Sequence, residues 1–85
     1  MFILTCVMYG EFCKKHTRFV GLYETREAAQ DIIDSSIENA VRNYGNDAVV
    51  LKEWNEVWAS KDDVNVRGYV FDIFEINSNI FTGNP

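Results

Sequence analysis

The stretch Thr25-Arg-Glu-Ala-Ala-Gln-Asp-Ile-Ile-Asp-Ser-Ser-Ile-Glu-Asn-Ala-Val-Arg-Asn-Tyr44-Gly45 decides the fold. Its apolar residues Ala28, Ala29, Ile32, Ile33, Ile37, Ala40, Val41 and Tyr44 recur every three or four positions, which gathers them on one side of a helix. Thr25 has the hydroxyl of an N-cap, and Glu27 falls in the first turn, where the helix dipole favours an anion. Gly45 suits the residue just past the C-terminus. The spacing therefore predicts a helix over residues 25–44. Its outer side carries Glu27, Asp31, Asp34 and Glu38. At about 100° per residue these four carboxylates fall within roughly 60° of one another, nearly opposite the apolar stripe.

The flanking segments have a different period. Phe2 to Tyr9 is rich in β-formers and too short for a helix, which predicts a first strand. Residues 10–17 are polar and basic, as in a hairpin connection, and residues 18–24 alternate as a second strand. Gly21 inside that strand marks a bulge or a close approach by another element. Beyond the helix, residues 48–59 are expected as a third strand, with Trp54 and Trp58 on the same face as Val50, and residues 68–76 as a fourth. The prediction is an α+β domain in the order ββαββ, a four-stranded antiparallel sheet with one amphipathic helix packed on one face. Residues 1–77 form this single domain, and 78–85 a loose C-terminal tail.

Counting faces adds a constraint. The first strand has Phe2, Leu4, Cys6 and Met8 on one side and Ile3, Val7 and Tyr9 on the other. The fourth sets Tyr69, Phe71 and Ile73 against Val70, Phe74 and Ile76. An antiparallel sheet with one wet face alternates apolar and polar residues more cleanly than this. A second covered face is expected, supplied by another copy as a homodimer or by a partner, with Trp54, Trp58 and Phe71 as its aromatic contributors.

Composition limits the function classes. The chain has 85 residues, 47% hydrophobic and 14% aromatic, which suits a folded domain and not a disordered one. Phe2 to Tyr9 is too short to span a membrane, and no basic start with a small-residue cleavage site marks a signal peptide; a cytoplasmic protein is expected. The net charge is −5, unevenly spread: residues 1–23 carry +2, residues 24–63 carry −6 and residues 64–85 carry −1. That balance favours a basic partner over nucleic acid.

Catalytic parts are missing from the pattern. His16 is the one histidine, and Cys6 and Cys13 with it fall short of a zinc set. Cys6 is expected as a buried strand residue. Cys13 is expected in a loop beside Lys14 and Lys15, which favour its thiolate. The helical carboxylates lie on a convex ridge and do not converge on a concave site, and no phosphate-binding glycine loop is present. No catalytic residue, cofactor or metal is expected, and the chain is not expected to be an enzyme.

Two binding surfaces remain. Glu27, Asp31, Asp34 and Glu38 span about 16 Å at 1.5 Å per residue, a spacing of the order of phosphates along a DNA strand. Such a row suits a decoy that occupies a cationic, nucleic-acid-binding groove. The alternative is a basic loop, Lys14, Lys15 and Arg18, leading into Phe19 and Tyr23 as in single-strand binders. A structural or assembly subunit is a third class.

The run from Phe19 to Ala29 contains Gly21, Tyr23, Thr25, Glu27 and Ala29 in the pattern G-x-Y-x-[ST]-x-E-x-A. It resembles the strand-to-helix junction of small phage and bacterial domains. That resemblance implies a small accessory protein encoded by a phage, one that binds and blocks a host protein in the host cytoplasm.

Overall fold

The computed structural model describes residues 1–10, 15–64 and 66–76. Five strands and one helix follow in the order β1 (Phe2–Tyr9), β2 (Lys15–Tyr23), α1 (Arg26–Tyr44), β3 (Val49–Leu51), β4 (Glu56–Trp58) and β5 (Gly68–Glu75). The strands form one antiparallel sheet in the order β2-β1-β5-β4-β3. The architecture is α+β with α1 on one face of the sheet. The sheet has five strands and not four, because residues 48–59 supply two, and β1 and β5, far apart in sequence, are inner neighbours.

The helix forms where local chemistry places it. The Thr25 hydroxyl accepts a hydrogen bond from the Ala28 N–H at 3.1 Å, satisfying one of the free donors of the first turn. Gly45 takes a φ of +84° and donates its N–H to the Val41 carbonyl, ending the helix in a conformation that side chains disfavour. Arg42, in the last turn, pairs with Glu38 at 3.0 Å. Between these ends Ala29, Ile33, Ile37 and Ala40 are buried. Ile33, Ile37 and Ala40 share one core with Leu4, Cys6, Val57 and Phe71.

Residues 48–59 do not form one strand. β3 ends at Leu51, a 3-10 turn occupies Lys52–Trp54, and Asn55 adopts a left-handed conformation with φ 53° before β4 begins. Asn tolerates that region better than most residues. It is also held there from two sides: its side-chain oxygen accepts from Gln30 Nε2 at 3.0 Å, and its carbonyl accepts from the Phe71 N–H at 2.9 Å. The turn destroys the period-two relation between the tryptophans. Trp54 is 67% exposed, while Trp58 is 1% exposed.

β2 opens at Lys15, three residues before the expected start, and carries its irregularity where β1 passes from Leu4 to Thr5. There Gly21 pairs with Leu4 and Phe19 with Thr5, leaving Val20 as the extra residue beside the glycine. The expected tail at 78–85 lies outside the described residues.

Gly68 pairs with both Tyr9 and Trp58. A Cβ built there would lie 2.3 Å from the Val57 carbonyl oxygen and 2.5 Å from Trp58 Cε3. Backbone cannot yield as a side-chain tip does. Gly68→Ala is therefore expected to lower unfolding stability by about 1–3 kcal/mol, the usual cost of overpacking, read as a lower urea midpoint.

Candidate functional site

The helix divides the surface into regions of different chemistry. Glu27, Asp31, Asp34 and Glu38 are all exposed, as their spacing predicts. They are not equally available. Asp34 accepts from Gln30 Nε2 at 3.0 Å, and Glu38 is engaged by Arg42. Asp34 and Glu38 also line a groove of about 590 Å³ against β3 and the turn after it, together with Lys52. The row of four is thus an acidic face with one of its charges already paired.

The basic run separates in a different way. Lys14, like Cys13, lies outside the described residues. Lys15 and Arg18 belong to edge strand β2 and not to a loop. Lys15 pairs with Tyr9 and Arg18 with Cys6, so alternation along β1 sends the two cations to opposite faces of the sheet. Arg18 is on the side that carries the helix, beside Cys6. The acidic face looks away from the sheet on that same side.

The expected interface aromatics need correction. Phe71 is 5% exposed because it sits beneath the helix in the core. Trp58 is buried within the chain, tilted against Tyr9 with ring centroids 5.2 Å apart, and it donates from its indole N–H to Glu56 at 3.0 Å. Of the three, only Trp54 offers area to a partner.

The exposed apolar residues of the helix-free face are different ones. Ile3 pairs with Leu22 on one side and Phe74 on the other, so the three form one transverse row on the face opposite the helix. Thr5 carries the next row, Phe19 and Asp72, and Val7 pairs with Val70 in the row beyond. Phe19 is 60% exposed, and Leu22 and Phe74 are 54% exposed. Period-two alternation in β1 and β5 carried this signal. The tryptophans have larger side chains but belong to none of these rows of exposed residues.

On the helix side, α1 leaves part of β2 uncovered. A groove of about 380 Å³ lies between them. Cys6, Met8, Tyr69 and Phe71 supply apolar lining, while Arg18 of β2 and Ser36, Asn39 and Asn43 of α1 supply polar groups. Tyr69 stacks between Phe71 and Tyr44, with centroid distances of 6.4 and 6.3 Å. Burial pushes the Cys6 thiol up to about 11, and the nearby Arg18 guanidinium offsets part of that rise. Burial, and next the neighbouring Tyr69, likewise raise the Tyr44 hydroxyl.

Among the described residues no group of three or more His, Cys, Asp or Glu side chains is placed to hold a metal ion, and no helix is long and apolar enough to cross a membrane. No protein-family model matches the chain, and no curated protein or solved structure matches it.

The raised Cys6 thiol has a consequence for stability. Between about pH 9 and 11 the unfolded chain has lost the thiol proton while the folded chain keeps it, so stability falls as pH rises through that window. A Cys6→Ala variant is expected to show a shallower alkaline loss of stability over this range. Urea midpoints at three pH values measure it; parallel slopes for the two proteins would refute the burial account.

Proposed function

We propose that this chain is a non-enzymatic protein-binding module, whose contact surface is the helix-free face of the sheet. The observation that carries the reading is the row Leu22, Ile3 and Phe74 with Phe19 beside it. Aromatic side chains present 150–250 Å² each, so three large residues more than half exposed offer on the order of 300 Å² of apolar surface. A patch of that size is within the range of the largest apolar patch on a typical monomer, which is often functional.

Charge selects the occupant. A second copy would bring another −5 to the contact, whereas a basic protein gains from the field. Asp72 stands in the row next to the apolar one and is exposed, which suits an apolar patch with a cationic rim on the partner. The acidic helix face looks the other way. Its part in this reading is to steer a basic partner at a distance, and occupation of that partner's basic surface is how the module blocks it.

Leu22→Ser with Phe74→Ser removes the apolar row at exposed positions, where substitutions usually change stability by less than about 0.5 kcal/mol each. The wild-type protein, this double variant and an Asp31→Asn, Asp34→Asn, Glu38→Gln variant are compared for capture of partners from lysate of the native host, with and without nuclease treatment. Proteins retained by the wild type are expected to be lost by the sheet variant. The helix variant is expected to keep them, with slower association and weaker salt dependence. Capture that survives the sheet substitutions and disappears on neutralising the helix would replace this reading with the decoy. Capture abolished by nuclease would replace it with nucleic-acid binding.

A further inference from the structure

We infer that the groove between α1 and β2 is a binding site for a small amphipathic monocarboxylate, its carboxylate held by Arg18 and its apolar body laid on Cys6, Met8 and Phe71. The groove is on the helix side of the sheet; Phe19 of β2 borders it as well, but Leu22, Ile3 and Phe74, the row that carries the protein-binding reading, do not line it.

Three observations converge on that ligand. The first is charge. Among the described residues no carboxylate pairs with Arg18, although the chain as a whole is strongly acidic. Arg18 is exposed at the wall of the groove, and a guanidinium with no paired carboxylate among the described residues presents the fork geometry that a carboxylate matches. The second is the division of the lining. Apolar side chains come from β1 and β5, while Ser36 and Asn39 stand on the helix wall. The lining surface is nearly as polar as it is apolar, which suits a ligand that is itself amphipathic. The third is size. At the roughly 30 Å³ a water-sized group takes, about 380 Å³ holds about a dozen such groups. A ten-carbon carboxylate has about that number of non-hydrogen atoms.

Cys6 supplies a reporter at this site. Its thiol is buried against the same space that the ligand body would fill, so occupation removes the remaining path for a reagent. The reaction is measured in a Cys13→Ser background, which leaves Cys6 as the single thiol.

The probe is decanoate, kept below its micelle concentration, with 1-decanol as the uncharged control. Decanoate is expected to slow labelling of Cys6 by a thiol reagent and to shift the backbone amide resonances of Arg18, Ser36 and Asn39. A hydrogen bond to a charged group contributes about 1.5–3 kcal/mol, so Arg18→Gln is expected to weaken decanoate roughly ten- to a hundredfold. Arg18→Lys should recover part of that loss, and 1-decanol should bind the wild type as weakly as decanoate binds Arg18→Gln. The double variant Leu22→Ser, Phe74→Ser should bind decanoate like the wild type, because neither residue lines the groove. Unchanged Cys6 labelling and unchanged amide shifts at millimolar decanoate would overturn the inference. So would equal affinities for acid and alcohol, an Arg18→Gln variant of undiminished affinity, or resonance shifts confined to the Leu22–Phe74 face.

Discussion

The pairing of β1 with β5 is the constraint on which the rest of the structure depends. It joins the first and last strands of the described chain, with Leu4 beside Ile73, Cys6 beside Phe71 and Met8 beside Tyr69. An N–H donated by Ile76 to the Met1 carbonyl at 2.8 Å extends the pairing beyond β5. Only with these rows side by side is there a floor for Ile33 and Ile37 of the helix. The pairing also makes β1 an inner strand, which assigns β2 to one edge and the short strands β4 and β3 to the other. Closing so long a loop costs only slightly more entropy than closing a short one, and the core it creates repays that difference.

One helix can cover one face. Burial on the helix side therefore leaves Ile3, Leu22, Phe19 and Phe74 facing outward, and this apolar face follows from the topology. The edge is managed differently from the face. β2 carries a bulge together with Lys15 and Arg18, features that discourage another strand from pairing with it. The sheet thus combines an exposed apolar face with an edge that resists extension. The helix leaves a second opening, because it does not close against β2, and the groove beside Arg18 is the space that remains.

The other end of the sheet shows how a local break is sustained by distant contacts. Asn55 in a left-handed conformation costs on the order of 1–2 kcal/mol. Its hydrogen bonds to Gln30 of the helix and to Phe71 of β5 each contribute about 0.5–1.5 kcal/mol, enough to offset that cost. The break turns Trp54 outward. It also lets Trp58 settle against Tyr9 and over Gly68, where the absence of a side chain makes room for the indole. An aromatic that would otherwise be a surface liability becomes the largest fully buried side chain among the described residues.

The sequence by itself determined the helix and the existence of most strands. Thr25, Gly45 and the three- and four-residue spacing from Ala28 to Tyr44 act through neighbours along the chain, so their outcome is local. It also determined that β1 and β5 have two apolar faces, since alternation separates the faces without reference to any partner. Only the tertiary structure decided which of the two faces the helix covers. That choice placed Phe71 inside and Phe74 outside, and it sent Lys15 and Arg18 to opposite sides. It decided as well that residues 48–59 divide at Asn55, because the groups that hold Asn55 lie on α1 and β5. Period and composition carry the first kind of information; register and strand order arise from contacts between residues far apart in the chain, and no local pattern records them.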